Sequence, residues 1–214
     1  MFLKAKGRSN DLPGHRVVVL GAPAVGKSSI ISRFVYDEFV PDYLPTVEDF
    51  YHTDLLVRGR TLPLDIVDMT GHYSFPAMKE LAIACADAFV LVFNVNNEQS
   101  FRELSAIRDL IFQVKGDTSN AADIPIVVVG NMVDLSNRCL VEKVTMECLV
   151  TMDWNHSYVE TSAKTNYNIR TVFDELLVRS KISGLSTPSS RRKCVNWTQK
   201  HQSYDGKDNK CSLS

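Results

Sequence analysis

The sequence predicts an α/β domain with a mostly parallel sheet that helices cover on both faces. Short continuous apolar runs, such as residues 88–93 and 124–129, are typical of strands buried on both sides. Between such runs, apolar residues recur at helical spacing, and alternation of strands with helices favours parallel pairing. The 214 residues, 44% of them hydrophobic, suffice for one such domain with tails.

The first half of the chain begins with a buried strand and a helix. Residues 16–20, with the sequence R-V-V-V-L, predict the strand, and the helix follows over about 27–36. The tight turn Arg58-Gly59-Arg60 lies between two further strands and predicts an antiparallel hairpin, with residues 62–68 as its second arm.

The second half repeats the pattern of strand followed by helix. Three strands are predicted, at residues 88–94, 126–131 and 157–160. Three helices are predicted from helical spacing of apolar residues, at 104–114, 141–152 and 169–177.

Composition divides the chain into three parts. Residues 1–14 predict a short disordered arm, 15–182 the folded domain, and 183–214 a flexible tail. The tail carries a charge of +4 and the remainder −5, so the net charge of −1 conceals a basic tail on an acidic body. This balance gives no electrostatic case for nucleic-acid binding.

Three observations predict a cytosolic location for the folded domain. No apolar run approaches the roughly 18 to 20 residues of a spanning helix, and the N-terminus lacks the apolar stretch of a signal peptide. The 5 cysteines contain no C-x-x-C pair and are too few and scattered for a disulfide framework, which favours a reducing compartment.

The first predicted strand runs into the motif G-x-x-x-x-G-K-[ST], which is the P-loop. Its backbone N–H groups can wrap phosphates, and the next helix adds the positive end of its dipole. Lys27 would reach the terminal phosphates, and the Ser28 hydroxyl would ligate Mg²⁺. The predicted phosphate-binding residues are Gly21, Ala24, Val25, Gly26, Lys27, Ser28 and Ser29. The alternative is a glycine-rich turn followed by a surface lysine.

Asp68 closes a predicted strand three residues before Gly71. An aspartate in this position after a P-loop is typical of a carboxylate near the catalytic metal. The alternative is an ordinary turn or cap residue.

A base-recognition site is predicted where residues 126–130 run into Asn131-Met132-Val133-Asp134. The Asp134 carboxylate can accept two parallel hydrogen bonds from guanine N1–H and the N2 amino group. Adenine would leave that carboxylate unpaired, at a cost of a few kcal/mol. Asn131 would tie this loop to its neighbours, and the run from Glu160 to Lys164 could close over the base as a second loop.

With these motifs in order, the chain resembles the Ras branch of the Ras superfamily of small GTPases over roughly residues 15–182. The motifs are the P-loop, Pro45-Thr46-Val47-Glu48-Asp49, Asp68-Met69-Thr70-Gly71, Asn131-x-x-Asp134 and Ser162-Ala163-Lys164. The segments Gly21-Ala22-Pro23, Val47-Glu48-Asp49-Phe50 and Phe75-Pro76-Ala77-Met78 are similar to the dexamethasone-induced Ras and Rhes subgroup.

The resemblance implies a G domain with six strands, the second antiparallel, and five helices, with GTP or GDP and Mg²⁺ as ligands. It implies metal ligation by Ser28, Thr46 and Asp68, and γ-phosphate contacts from Thr46 and the Gly71 N–H. It further implies that Phe39 packs against guanine and that the Ala163 N–H meets guanine O6, beside Ser162 and Lys164. The catalytic residues implied are Lys27, Gly71 and His72.

Several positions depart from the family pattern. Pro23-Ala24 stands where Gly-Gly is usual, His72 where glutamine positions the attacking water, Met69-Thr70 where Thr-Ala is usual, and Met132 where lysine is usual. Neutral drift is one explanation for each. Because several of these positions touch the γ-phosphate or the attacking water, we predict weak GTP hydrolysis.

Three functions remain open from the sequence. The first is a GTP-hydrolysing switch, and the second is a membrane-anchored GTP-binding module with negligible turnover. The third is a P-loop nucleotide kinase, which would require lid arginines and an acceptor pocket and would not require Asn131-x-x-Asp134.

Residues 44–50 correspond by resemblance to the effector loop. The predicted effector residues are Tyr43, Pro45, Val47, Glu48, Asp49 and Phe50. The predicted partners are an exchange factor, a GTPase-activating protein, and an effector with a Ras-binding-type domain that could add a strand at this edge. The alternative is a solvated acidic turn.

The sequence ends in Cys211-Ser212-Leu213-Ser214, a C-a-a-X match of the farnesyl class, although Ser212 is not aliphatic. One lipid chain gives marginal anchoring, so the basic tail would supply the second signal at an anionic leaflet. Cys194 beside Arg191-Arg192-Lys193 is a weaker candidate for palmitoylation. We therefore expect the protein to reside on the cytoplasmic face of the plasma membrane. The alternative is that Cys211 is an ordinary thiol on a polar tail.

Overall fold

The computed structural model describes residues 12–41, 48–57, 59–69, 76–116, 124–135 and 143–181. They form one six-stranded sheet in the order β2-β3-β1-β4-β5-β6. The strands are β1 His15–Gly21, β2 Glu48–Val57, β3 Arg60–Met69, β4 Ala88–Asn94, β5 Ile126–Asn131 and β6 Ser157–Glu160. The predicted α/β class with a mostly parallel sheet is confirmed.

The strand β1 lies in the middle of the sheet. It pairs in parallel with β3 on one side and β4 on the other, and β5 and β6 continue in parallel. The strand β2 pairs antiparallel with β3, as the hairpin at Gly59 predicts. The carboxyl ends of five parallel strands therefore meet at one edge of the sheet, where open α/β sheets bind ligands.

In the part of the chain that the structure describes, five α-helices cover the two faces of the sheet. They are α1 Lys27–Tyr36, α2 Pro76–Cys85, α3 Glu98–Lys115, α4 Lys143–Cys148 and α5 Ile169–Arg179. One buried cluster packs α1 and α5 against the sheet through residues such as Ile30 and Phe173. A second cluster packs α2, α3 and α4 against the other face through Ile83, Leu104 and Met146.

Three features differ from the pattern-based expectations. The helical spacing did not reveal α2, because its apolar residues include exposed ones such as Leu81. The helix predicted over 141–152 is instead the short α4 followed by a π-helical turn at Leu149–Asp153. Cys148 is free and exposed, whereas Cys85 is disulfide-bonded, contrary to the expectation of reduced thiols.

Candidate functional site

The P-loop joins β1 to α1 at the carboxyl edge of the sheet. Gly26 is the N-cap residue of α1 and adopts the left-handed conformation, with φ 88°. No side-chain hydrogen bond caps this end of the helix among the described residues. A Cβ atom at Gly26 would collide with the side chain of Asn131, so glycine is required on both counts. The N-terminal N–H groups of α1 are thereby directed toward the loop, as phosphate binding requires.

Lys27, the first residue of α1, lies inside the loop with its ammonium group almost enclosed. Its Nζ donates to the carbonyl oxygens of Gly21 at 3.0 Å and Ala22 at 2.7 Å. Burial lowers the pKa of Lys27 to about 8, while the charge of Asp68 acts in the opposite direction. A phosphate group beside the ammonium group would raise this pKa again, which fits the predicted role of Lys27.

Ser28 and Asp68 meet directly beneath the loop. The Ser28 Oγ donates to Asp68 Oδ2 at 2.5 Å, while Asp68 Oδ1 is buried without a hydrogen-bond partner among the described residues. Burial raises the pKa of Asp68 to about 6, against the hydrogen bond from Ser28 and the charge of Lys27.

These oxygens suit Mg²⁺, which takes hard oxygen ligands and usually draws one or two carboxylates from the protein and the rest from phosphates and water. A buried carboxylate oxygen that lacks a partner is the position at which such an ion would remove a desolvation cost. Within the described ranges no three His, Cys, Asp or Glu side chains form a metal-ligand group, so a closed all-protein cage is not built from them.

Asn131, the last residue of β5, links three loops. Its Nδ2 donates to the Val25 carbonyl at 2.9 Å, and its Oδ1 accepts from Thr161 Oγ1 at 3.1 Å and from the Ala163 N–H at 3.4 Å. The side chain is buried. The sequence predicted that Asn131 ties its loop to its neighbours, and the structure shows those bonds.

Asp134 lies on a single 3₁₀ turn that follows β5 at once. The Ser162 hydroxyl donates to Asp134 Oδ1 at 2.6 Å and also accepts from the Thr165 N–H at 3.1 Å. Ser162 and Tyr167 exchange both backbone hydrogen bonds and so close the loop between them. The two predicted base-recognition loops are therefore in direct contact, and the exposed carboxylate is held in one orientation.

Two of the departures from the family pattern occupy the left-handed region. Ala24 has φ 58° and Met132 has φ 68°. Such conformations cost non-glycine residues about 1 kcal/mol, which glycine would avoid at position 24. The Met132 side chain reaches across to the P-loop, since a Cβ at Gly26 would lie 3.5 Å from Met132 Cε.

The remaining predicted residues are distributed as follows. Ser29 lies on α1 and is half-buried, Lys164 is exposed in the closed loop, and Phe39 packs partly buried against the core. Asp49 and Phe50 are exposed on β2, an edge strand. The predicted residues that lie outside the described ranges are Tyr43, Pro45, Thr46, Val47, Gly71, His72 and Cys211.

Two residues of the site are not among the predicted binding residues. Thr161 bonds to Asn131, and its N–H bonds to the Gly130 carbonyl at 2.8 Å. Its position inside the run from Glu160 to Lys164 was the available signal. Lys79 on α2 is near enough to Lys27 to contribute to lowering its pKa, and no sequence signal marks it.

Comparison with known proteins agrees with this geometry. The model of the Ras family matches residues 16–182. The chain is 46% identical over 171 residues to the GTP-binding protein Di-Ras1 of Mus musculus, covering 79% of this chain and 82% of that protein. It is 41% identical over 184 residues to the GTP-binding protein Rhes of Homo sapiens, covering 84% and 69%.

A third relative, the GTP-binding protein Di-Ras2 of Mus musculus, is 39% identical over 193 residues, covering 87% of this chain and 94% of that protein. The family model covers most of the chain and agrees with the order of the five motifs. The chain therefore belongs to the Ras family, and it is a GTP-hydrolysing small GTPase.

Proposed function

We propose that this GTPase is a membrane-anchored signalling switch with slow intrinsic hydrolysis. The observation that carries the proposal is the site at the carboxyl edge of the sheet. There Lys27 and the bonded pair Ser28–Asp68 lie at the P-loop, and Asp134 lies in the loop that Ser162 contacts. The switch requires that Thr46 and Gly71 hold their loops only while the γ-phosphate is present.

In the proposed reaction, water attacks the γ-phosphate in line with the leaving oxygen. Lys27 and the N-terminal N–H groups of α1 stabilise the negative charge on the phosphate oxygens. Ser28 and Asp68, with Thr46, would hold Mg²⁺, which neutralises phosphate charge when bound. The remaining requirement is a group that positions the water, and His72 stands at that place in the sequence.

His72 suits that role less well than glutamine does. A glutamine amide can accept from the water and donate toward phosphate from one small group. A neutral imidazole carries its donor and acceptor on opposite ring edges, and a protonated imidazole keeps no acceptor. Slow hydrolysis and a large GTP-bound fraction in cells follow from this difference.

Pro23 is the second reason for slow turnover. Its ring occupies the place where a bare glycine leaves room for an arginine finger, a contact worth about 10³ to 10⁵ in rate. Single-turnover hydrolysis should be measured for the wild type, His72→Gln, Pro23→Gly and the double variant. We expect His72→Gln to raise the intrinsic rate, and only the double variant to respond to a general Ras-activating protein.

A wild type as fast as His72→Gln would contradict slow hydrolysis and would show that imidazole positions water adequately. Undetectable hydrolysis in all four proteins would instead support the second candidate, a GTP-binding module with negligible turnover that signals by abundance. Phosphoryl transfer to an added nucleotide acceptor would point to the kinase alternative. The nucleotide found on protein purified from cells measures the GTP-bound fraction directly.

The exposed edge strand β2 is the proposed effector surface. Asp49 and Phe50 lie on it, and a partner strand could extend the sheet while its basic side chains meet the acidic residues. We expect the GTP-loaded protein to bind a Ras-binding-type domain more tightly than the GDP-loaded protein. Equal affinities would contradict the switch, since a switch requires differential affinity.

Membrane attachment is proposed from the C-terminal sequence. Cys211 would carry a farnesyl chain, and the +4 tail would add attraction to anionic lipid at about 1 kcal/mol per basic residue. Among the described residues no helix combines the length and apolarity needed to cross a bilayer. Cys211→Ser should move the protein from the plasma membrane to the cytosol in fractionated cells, and an unchanged distribution would refute the anchor.

A further inference from the structure

Arg33 lies near the end of α1, and only 16% of its side chain is exposed. The guanidinium group makes hydrogen bonds in three directions. Nε donates to the Ala163 carbonyl at 2.9 Å, Nη2 to the Lys164 carbonyl at 3.3 Å, and Nη1 to the Asp37 carbonyl at 2.7 Å. A single side chain of α1 therefore binds two consecutive carbonyls of the loop that follows β6.

Ala163 is held at both ends by side chains from other elements. Its N–H faces Asn131 Oδ1 at 3.4 Å, and its carbonyl accepts from Arg33. The residue itself is 3% exposed, and the bridge between Ser162 and Tyr167 restricts the loop on either side of it. The direction of the Ala163 N–H is therefore set by Asn131 and Arg33 together.

Asp37 adds a second connection between α1 and this loop. Asp37 ends α1 in the left-handed conformation, with φ 56°. Its Oδ1 accepts from Arg33 Nη1 at 3.3 Å and from Asn166 Nδ2 at 3.0 Å. Arg33, Asp37 and Asn166 thus connect the end of α1 to both sides of the loop.

This arrangement differs from an ordinary helix-surface ion pair. Arg102 and Glu98 on α3 form such a pair at 2.6 Å, with side-chain exposures of 68% and 53%. Exposed pairs of that kind contribute little, because solvent screens them. Arg33 is largely enclosed, and its partners include three backbone carbonyls, so its bonds are charge-assisted. The bond to the Ala163 carbonyl is also partly buried.

We propose that Arg33 is a positioning residue that fixes the Ser162–Lys164 loop against the C-terminal end of α1 and thereby sets the residence time and base preference of the bound nucleotide. The inference rests on the proposed guanine-binding role of that loop. Because Lys27 begins the same helix, α1 joins the phosphate side of the site to the base side.

The first test measures release of a ribose-labelled fluorescent GDP from full-length, Mg²⁺-loaded protein. Arg33→Met keeps the aliphatic stem and removes all donors, so we expect release roughly 10-fold faster than in the wild type. Arg33→Lys retains one charged group and should give an intermediate rate. The matched control is Arg102→Met, which should stay within about twofold of the wild type.

The second measurement separates positioning from a general loss of stability. We would compare release of GDP with that of 2-aminopurine riboside diphosphate, which lacks the O6 atom. The wild type should release the analogue faster, and Arg33→Met should reduce that preference by about fivefold, because the loop that carries the Ala163 N–H, the expected partner of O6, is no longer fixed. A merely destabilised protein would release both nucleotides faster by the same factor.

Equal acceleration for both nucleotides, or release unchanged in Arg33→Met, would overturn the proposal. If Arg33→Met fails to fold, Asp37→Asn supplies the test, since it weakens the same connection from an exposed position and should speed GDP release about threefold, outside the range of the Arg102→Met control. An unchanged rate in Asp37→Asn would then count as refutation. A wild type that releases GDP and ADP equally fast would overturn the guanine-binding role itself, which is a different failure.

Discussion

The base side and the phosphate side of this site are stabilised in different ways. On the base side, the side chains of Asn131, Ser162 and Arg33 form hydrogen bonds that join the loops of the site to one another. On the phosphate side, the described residues bury Asp68 Oδ1 without a partner and hold Lys27 where burial lowers its pKa to about 8. The hydrogen bonds of the base side are therefore made within the protein, whereas the phosphate side contains charged groups suited to a ligand.

This difference predicts where the ligand contributes to stability. A satisfied polar network rigidifies a site before the ligand arrives, so its members should contribute to folding even without nucleotide. Buried charges with incomplete partners cost free energy until opposite charge is supplied. Nucleotide and Mg²⁺ should therefore stabilise mainly the phosphate side, and substitutions on the two sides should separate binding from folding.

The largest expected effect is on binding, from Lys27→Met. Loss of a charged donor to phosphate should weaken GDP affinity by at least about 100-fold, measured by titration calorimetry. The free energy of unfolding of the nucleotide-free protein should fall by less than about 1 kcal/mol, because removing a buried cation offsets the two lost hydrogen bonds. A large destabilisation without nucleotide would contradict the comparison.

Asn131→Ala should show the opposite behaviour, with a large effect on the folding stability of the nucleotide-free protein. It leaves the Val25 carbonyl, the Thr161 hydroxyl and the Ala163 N–H without their partner in a buried region. We expect the nucleotide-free protein to lose about 2 to 4 kcal/mol of unfolding free energy in urea. Asn96→Ala, which loses a part-buried bond to the Met132 carbonyl, is the control and should cost about 1 kcal/mol.

Acid should weaken the base side through His156, which immediately precedes β6. Burial, with Arg108 and Arg179, lowers the pKa of His156 to about 4. The unfolded chain binds this proton at about pH 6.5, so stability is full above that pH and falls as the pH drops toward 4. The loss should reach about 3 kcal/mol once the pH is below both pKa values.

Urea unfolding of the nucleotide-free protein near pH 7 and near pH 4.5 measures this loss. The matched variant is His156→Gln, which carries no titrating group and should show a pH dependence smaller by about 2 to 3 kcal/mol. Parallel pH profiles for the two proteins would show that the imidazole is not the group responsible.

The sequence predicted the phosphate side of the site better than the base-side contacts. The P-loop is contiguous in the sequence, so its spacing alone predicts the roles of Gly26, Lys27 and Ser28. Asp68 lies near them because the carboxyl ends of parallel strands meet at one edge of the sheet. Arg33 and Thr161 contribute through contacts between elements distant in the chain, and no local pattern encodes those. Likewise α2 lacks a clean apolar stripe, whereas the buried strands stand out in the sequence as short continuous apolar runs.

The smallest expected effect concerns Met132, which lies between the two sides. Its side chain extends over Gly26, so a lysine there could place an ammonium group near the P-loop carbonyls. Methionine offers the apolar stem with a flexible thioether but no charged donor. A charged hydrogen bond is worth about 1.5 to 3 kcal/mol, so Met132→Lys should slow GDP and GTP release by roughly 10- to 100-fold, the lower end being expected at this half-buried position.

Met132→Leu is the matched control, since it preserves apolar cover and adds no donor, and its release rate should stay within about twofold of the wild type. Preference for guanine over adenine should persist in both variants, because Asp134 and its bond from Ser162 are untouched. Stopped-flow release of a fluorescent nucleotide distinguishes the cases. If Met132→Lys and Met132→Leu release nucleotide at the same rate, the ammonium does not reach the P-loop, and the coupling of the two sides would rest on Asn131 and Arg33.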